Sequence, residues 1–231
     1  MRESDAYVSV RPCVKGEPVC ANNCANAGEP SFFLYATIFK RIQLRLPLTR
    51  FEQALLTKIN VAYAQLHPNS WAFVRAFTIL CNHIGHTPLM DVFLHFLEAK
   101  SAGKKLWVSF TGVARRVLLT LFQQSYKGFK GKFFKVCCST HDPTLLDGFP
   151  LYWVKKLKFK KPRGVEKLTP FDRKLCQLLS SLRVVFNTAQ LIKHEYSAID
   201  LKGYISICPC LSSVLLAFLL LIYLLMLIVF V

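Results

Sequence analysis

Cysteine and histidine side chains cluster around residue 81, where they could hold a metal ion. Cys81, His83 and His86 lie close together in the chain, and His95 follows a little further along. A structural zinc site needs four tetrahedral nitrogen or sulfur ligands, which usually come as two closely spaced pairs. Here one residue separates Cys81 from His83, and no second cysteine pair follows. The spacing favours buried or helix-end polar residues over zinc ligands, and we predict no cofactor.

Three cysteines near the start of the chain offer a second metal-binding hypothesis. Cys13, Cys20 and Cys24 have no histidine beside them, so they lack the pattern of a retroviral-type zinc knuckle. The chain has nine cysteines, an odd number, and its first ten residues carry no apolar signal segment. We therefore expect reduced cysteines and a cytosolic or nuclear context.

Acidic side chains that could act as a general acid and base occur at Asp142 and Asp147. Asp142 is followed by a proline, and turn chemistry explains that pair of residues equally well. The chain also lacks a phosphate-binding loop of the form G-x-x-x-x-G-K-[ST] and a G-x-S-x-G nucleophile turn. These observations predict a protein that is not an enzyme.

Positive charge is the strongest signal in the composition. The formal net charge is +17 and the isoelectric point is near 9.7. Between Lys100 and Lys161 there are fourteen Lys and Arg against two acids, a local balance of 14 − 2 = +12. Such a surface can simply be solvated, or it can bind nucleic acid or an anionic membrane. All three interpretations stay open at this point.

Lysines alternate with aromatic residues within this basic stretch. Tyr126, Phe129, Phe133 and Phe134 stand among the lysines, so bases could stack between charges, although core positions are favoured for these aromatic rings. The lysines are the predicted phosphate contacts of a non-specific nucleic-acid interface. The predicted nucleic-acid-binding residues are Lys127, Lys130, Lys132, Lys135, Lys155, Lys156 and Lys158.

Helix caps and alternating patterns predict an α+β fold with a helix-rich first half, followed by short strands and a helix. Thr49 with Glu52 forms a capping-box pattern, and Thr169 with Asp172 forms a second cap. Further helices are expected to open at Pro68 and at Pro88 with Thr87 as its cap, and strands at 31–39, 106–110, 133–137 and 152–159. The predicted organisation is a disordered leader over 1–30, a domain over 31–185, a linker over 186–204 and a membrane segment over 205–231.

The last stretch of the chain is uncharged from Gly203 to Val231. At about 1.5 Å per residue, the eighteen apolar residues 214–231 would reach about 27 Å, close to the roughly 30 Å core of a bilayer. The sequence therefore predicts one C-terminal transmembrane helix with the basic domain on the cytosolic side, because Lys193 and Lys202 precede it. Its composition also fits an in-frame read-through of U-rich sequence. Without the tail, a nuclear or cytosolic protein is expected.

Several strings in the middle of the chain are distinctive. The most specific are QLHPNSWAFVRA over 65–76 and SYKGFK over 125–130. Shorter pieces occur around them, namely NVA at 60–62, FTILC at 77–81, KLWVS at 105–109, FFKV at 133–136 and FPLYW at 149–153. These strings, in this order, resemble a plant domain family described as putative gypsy-type transposon, and the resemblance extends over roughly residues 45–190.

The resemblance implies a retroelement origin, from a gag-like region, and transfers no catalytic residues. A DD(E/D) integrase core needs three spaced acids that hold two metal ions, and the acids of residues 48–185 do not stand in such a context. Two hypotheses follow. The first is a non-enzymatic nucleic-acid-binding module, with non-specific nucleic acid as its partner and no small-molecule substrate. The second is a tail-anchored membrane protein whose basic domain binds anionic lipid or protein partners.

Overall fold

The computed structural model describes residues 8–13, 16–20, 31–103, 106–120, 128–138, 148–159, 161–162, 164–182 and 184–194. These residues form five α-helices and seven strands. The helices are α1 (Arg50–Ile59), α2 (Pro68–His83), α3 (Met90–Phe96), α4 (Pro170–Ser181) and α5 (Thr188–His194). The strands are β1 (Val8–Pro12), β2 (Ser31–Tyr35), β3 (Leu97–Ala102), β4 (Trp107–Gly112), β5 (Leu119–Thr120), β6 (Phe133–Cys138) and β7 (Phe186–Asn187).

Side-chain caps start two of the helices as predicted. At α1 the Thr49 backbone N–H donates to Glu52 Oε2 at 2.8 Å, and the Glu52 N–H donates to Thr49 Oγ1 at 3.3 Å. At α4 the Asp172 N–H donates to Thr169 Oγ1 at 3.1 Å. Each cap satisfies a backbone N–H that has no partner within the helix. Helix α3 begins later than predicted, after Leu89, whose extended backbone carries no side-chain cap.

Strands from distant parts of the chain pair in small sheets. Strand β6 lies in the centre of a three-stranded antiparallel sheet, between β1 and β2. Strands β3 and β4 form an antiparallel hairpin, and the short strands β5 and β7 pair in parallel. All five residues of β2 are buried, so this strand lies inside the protein and contributes both of its faces to the core.

Aromatic rings fill the core between the helices and strands. Tyr63 and Trp71 stack with ring centroids 4.1 Å apart, and the Trp71 indole donates a hydrogen bond to the Tyr63 carbonyl at 3.2 Å. Phe51, Phe77 and Phe93 contact one another between α1, α2 and α3. The three helices therefore pack their aromatic side chains into one shared core.

The structure differs from the prediction in three segments, which are residues 152–159, the leader and the linker. The expected strand at 152–159 does not form. Those residues form an irregular segment with bends, and the Gln65 side chain bonds both backbone groups of Val154, which are then not free to pair with a strand. Part of the predicted disordered leader is a strand, since β1 pairs with β6 along five residues. The predicted linker contains β7 and α5, and the remainder of it lies outside the described residues.

The predicted fold class is confirmed as α+β and is corrected in one respect. The structure does not bear out the predicted transmembrane helix, because no helix within the described ranges is long and apolar enough to cross a membrane. The longest of them, α2, has 16 residues and reaches about 24 Å, short of a roughly 30 Å bilayer core. Residues 205–231, where that helix was predicted, lie outside the described residues.

Candidate nucleic-acid interface

An open groove of about 510 Å³ lies where the end of β2, the start of β4 and two basic segments meet. We call it the tryptophan groove. Tyr35, Trp107 and Trp153 line it, of which Tyr35 is fully buried, Trp107 is 9% exposed and Trp153 is half-buried. Among the described residues, Lys130 and Lys155 are the charged residues that line it. Leu106 adds apolar surface, and Val19 and Cys20 of the N-terminal segment line the remaining side. The groove thus combines flat apolar walls with positive charge.

The turn that carries Lys130 depends on a glycine. Gly128 has a φ of 73°, in the left-handed region, and it caps the 3₁₀ turn Phe129–Gly131. The turn buries the Phe129 ring at 4% exposure and leaves Lys130 exposed. Phe129 therefore anchors the turn in the core, and the lysine next to it reaches the tryptophan groove.

One buried amide holds the opposite wall in place. Gln65 is fully buried, and its Nε2 donates to the carbonyl oxygens of Leu106 at 3.0 Å and Val154 at 2.9 Å. Its Oε1 accepts from the Val154 backbone N–H at 2.9 Å. Leu106 precedes Trp107, and Val154 lies between Trp153 and Lys155. This single side chain fixes the two tryptophan-bearing segments to each other.

Trp107 packs against two rings at steep angles. The rings of Trp107 and Trp153 lie 4.9 Å apart with an interplanar angle of 76°, and Trp107 meets Phe129 at 5.4 Å. Trp107 is 9% exposed, whereas Trp153 is half-buried. The Trp153 Nε1 atom is buried and has no hydrogen-bond acceptor among the described residues. Trp153 is thus the more accessible of the two tryptophans.

The positive charge at the groove affects the pKa of a histidine that lies next to it. His67 contacts the rings of Trp107 and Phe129, and its Nδ1 accepts from the Asn69 N–H at 3.1 Å as the N-cap of α2. Burial lowers the pKa of His67, and the positive charge of Lys130 lowers this pKa further. The imidazole is therefore held in its neutral form, which the cap requires.

The structure brings together two of the seven predicted lysines. Lys130 and Lys155 line the tryptophan groove. Lys132 is exposed and lies two residues after Lys130. Lys156 is exposed and directly follows Lys155. Lys127 lies outside the described residues.

The other two predicted lysines lie elsewhere. Lys135 forms an ion pair with Glu17 and sits over the Phe33 ring at 5.7 Å from its centroid, so its charge is already partnered. Lys158 lines a separate cavity of about 50 Å³ together with Lys58, Asp91 and Glu98. The two acids at that cavity make it a poor place for a phosphate, whereas the residues described at the tryptophan groove include no acid.

The aromatic residues at the groove are not those suggested by the sequence. Phe129 is buried, and Phe133 and Phe134 pack against Phe33 and Phe39. Tyr126 lies outside the described residues. Sequence reasoning missed Trp107 and Trp153, which come together only through the fold. The available signal was the alternation of aromatic residues and lysines at 152–159, which had been assigned to a strand.

The side chains considered for zinc binding or catalysis form no site in the described ranges. No group of three or more His, Cys, Asp or Glu residues there is arranged to hold a metal ion. Cys81 is fully buried, and burial raises the pKa of its thiol to about 12. Cys13 is half-buried and Cys20 is exposed. Cys24, Asp142 and Asp147 lie outside the described residues.

Comparison with known families identifies one part of the chain. Residues 33–101 match the family model described as "Putative gypsy type transposon". The strings noted from Lys105 onward lie beyond the matched residues. The chain has no significant match among curated proteins or among solved structures. The match confirms the predicted resemblance over residues 33–101, and this gypsy transposon-like segment supports a retroelement-derived protein.

Proposed function

We propose that this retroelement-derived protein binds nucleic acid without sequence preference, through phosphate contacts from lysines around the tryptophan groove. The observation that carries the proposal is that Lys130 and Lys155, from separate segments of the chain, line one groove. Residues 128–138 and 148–162 hold three and five lysines respectively and no acidic residue. Nucleic acid, with its repeating phosphate groups, is a common polyanion that such a surface attracts.

The lysines contribute charge and carry no sequence information. An ammonium group is a flexible point charge, and it contacts phosphate oxygens that are the same in every nucleotide. Each neutralised phosphate releases condensed counterions into solution. Affinity is therefore expected to fall steeply as salt rises, and to change little between sequences of the same length.

The expected salt dependence follows from the number of exposed lysines at and beside the groove. Four of them, Lys130, Lys132, Lys155 and Lys156, give a slope of log affinity against log salt of about −0.7 × 4, or about −2.8, on a single strand. Removing two of these charges should reduce the slope to about −1.4.

The test measures oligonucleotide binding by fluorescence anisotropy between about 50 and about 200 mM salt. The full-length double variant Lys130→Gln with Lys155→Gln is compared with Lys167→Gln with Lys174→Gln. The second pair removes the same charge from two exposed positions, one in the 3₁₀ turn before α4 and one on α4. We expect the shallower slope only in the groove variant. Equal losses in both variants, or no binding by the unaltered protein at low salt, would contradict the proposal.

A further inference from the structure

We infer that the tryptophan groove receives an unpaired nucleobase, so that the protein prefers single-stranded nucleic acid to duplex. This inference rests on the proposed nucleic-acid binding and adds to it the class of nucleic acid. The lysines alone would attract either form, because both present phosphates. The feature that separates the two forms is the aromatic wall between the lysines.

The size and lining of the groove fit a flat aromatic ring. Its volume of about 510 Å³ lies within the roughly 300–1,000 Å³ typical of sites for small organic ligands. Trp153, which is half-buried, offers the main aromatic surface, with a smaller part of Trp107 beside it and the fully buried Tyr35 packed against Trp107. Single-strand-binding proteins combine such rings with positive charge, because every base has a π-face that stacks on an aromatic side chain. In a duplex those faces are covered by neighbouring base pairs and cannot enter.

Trp153 provides the surface on which a base can stack. Its ring packs against Trp107 at 4.9 Å with an angle of 76° between the planes, so Trp107, which is 9% exposed, holds Trp153 in place at the groove. Trp153 also has a buried Nε1 donor without an acceptor in the described part of the chain. Ring nitrogens and carbonyl oxygens of bases are acceptors, and a small shift of the indole would give this donor a partner.

The charges of the groove match the phosphates that flank such a base. Lys130 and Lys155 belong to separate segments, and both open into the groove that the tryptophans line. A single strand whose base occupies the groove carries one phosphate on each side of that nucleotide. None of the described residues that line the groove is acidic, so none of them repels these phosphates. Charge and shape therefore favour the same occupant.

The experiment compares three ligands with the full-length protein. They are an oligothymidylate of about 16 nucleotides, near the largest site size of a small single-strand-binding domain, an abasic strand with the same number of phosphates, and a duplex of that length. Trp153→Ala should weaken oligothymidylate binding by about 5- to 150-fold. It should leave binding of the abasic strand unchanged, because that strand has no base to stack.

Two controls separate stacking from loss of structure. Trp153→Phe keeps an aromatic face and should retain most of the affinity for oligothymidylate. Phe171→Ala removes an exposed ring on α4, 63% exposed and outside the groove, and should change none of the three affinities. Circular dichroism and thermal unfolding establish that each variant is folded.

A measurement on the unaltered protein removes the dependence on any variant. The chain has three tryptophans, of which Trp71 is fully buried. Stacking of a base should quench the fluorescence of Trp153, so oligothymidylate should quench the emission and the abasic strand should not. Equal quenching by both strands, or equal loss of both affinities in Trp153→Ala, would overturn the inference.

The experiments distinguish a failure of base insertion from a failure of phosphate binding. If the lysine variants weaken all three ligands while Trp153→Ala affects none selectively, phosphate binding stands and base insertion is wrong. If the unaltered protein binds none of the ligands at low salt, both proposals are wrong.

Discussion

The buried amide of Gln65 offers the sharpest test of how the fold builds the tryptophan groove. Replacing Gln65 by methionine keeps the length of the side chain and removes its donor and acceptor. The substitution removes three hydrogen bonds of 2.9–3.0 Å, one to Leu106 and two to Val154. At about 1 kcal/mol of net stability for each bond, the free energy of unfolding should fall by about 3 kcal/mol.

This loss is large but leaves a folded protein, because domains typically unfold with about 5–15 kcal/mol. At roughly 2–4 °C per kcal/mol for a chain of this size, the melting temperature should drop by about 6–12 °C. Urea denaturation followed by tryptophan fluorescence measures the free energy, and a thermal melt measures the temperature. Since Val154 positions its two neighbours Trp153 and Lys155, the variant should also lose affinity for oligothymidylate.

A matched control is available in α1. The Gln53 side chain makes one recorded hydrogen bond, from Nε2 to the Leu48 carbonyl at 3.2 Å, and Gln53 is half-buried. Gln53→Met should therefore cost about 1 kcal/mol or less and leave nucleic-acid binding intact. If Gln65→Met proves as stable as Gln53→Met, then Gln65 does not hold the two segments together and the reasoning is wrong.

Three further predictions concern the caps, the core and the histidine. Thr49→Ala should lower the free energy of unfolding by about 0.5–2 kcal/mol in urea denaturation, because it removes the α1 capping box; an unchanged value would contradict the cap. Phe77→Ala should cost about 3–5 kcal/mol in the same assay, against at most about 0.5 for the exposed Phe171→Ala. The pKa of His67 is lowered in the folded state, so its stabilisation is complete above its unfolded pKa of about 6.5 and is lost as the pH falls through the folded pKa. Lys130→Met should raise that pKa, measured by NMR titration, because it removes the neighbouring positive charge; a lower pKa would refute this electrostatic account.

Local features of the fold could be predicted from the sequence, because their partners lie three or four residues away. The Thr49–Glu52 capping box is such a feature, and so is the Thr169 cap. The hairpin strand β4 and the central strand β6 also follow from short alternating patterns. In each case the periodicity of the chain and the geometry of a single turn are sufficient.

The remaining features depend on contacts between distant residues, which a local pattern does not contain. The segment 152–159 alternates like a strand, but a glutamine from near α2 takes up the backbone groups of Val154. Lys135 looked like a phosphate contact until the fold placed Glu17 beside it. The groove itself is a tertiary feature, since Trp107 and Trp153 meet only after the chain has folded.

The pairing of β2 with β6 has a consequence for the synthesis of the protein. Between Tyr35, the last residue of β2, and Phe133, the first of β6, the ribosome adds almost one hundred residues. At about 5–20 residues per second, β2 waits roughly 5–20 s for its sheet partner. Until then Phe32, Phe33 and Leu34 form a short, uncharged, aromatic segment of the kind that aggregates as strands.

The pairings also extend beyond the residues that match the family. The match ends at residue 101, but β2 and β3, which lie largely within it, hydrogen-bond to β6 and β4 beyond it. A chain truncated at the end of the match would therefore expose two unpaired strand edges. In the growing chain, β2 stays without its partner until Cys138, the last residue of β6, has left the ribosome.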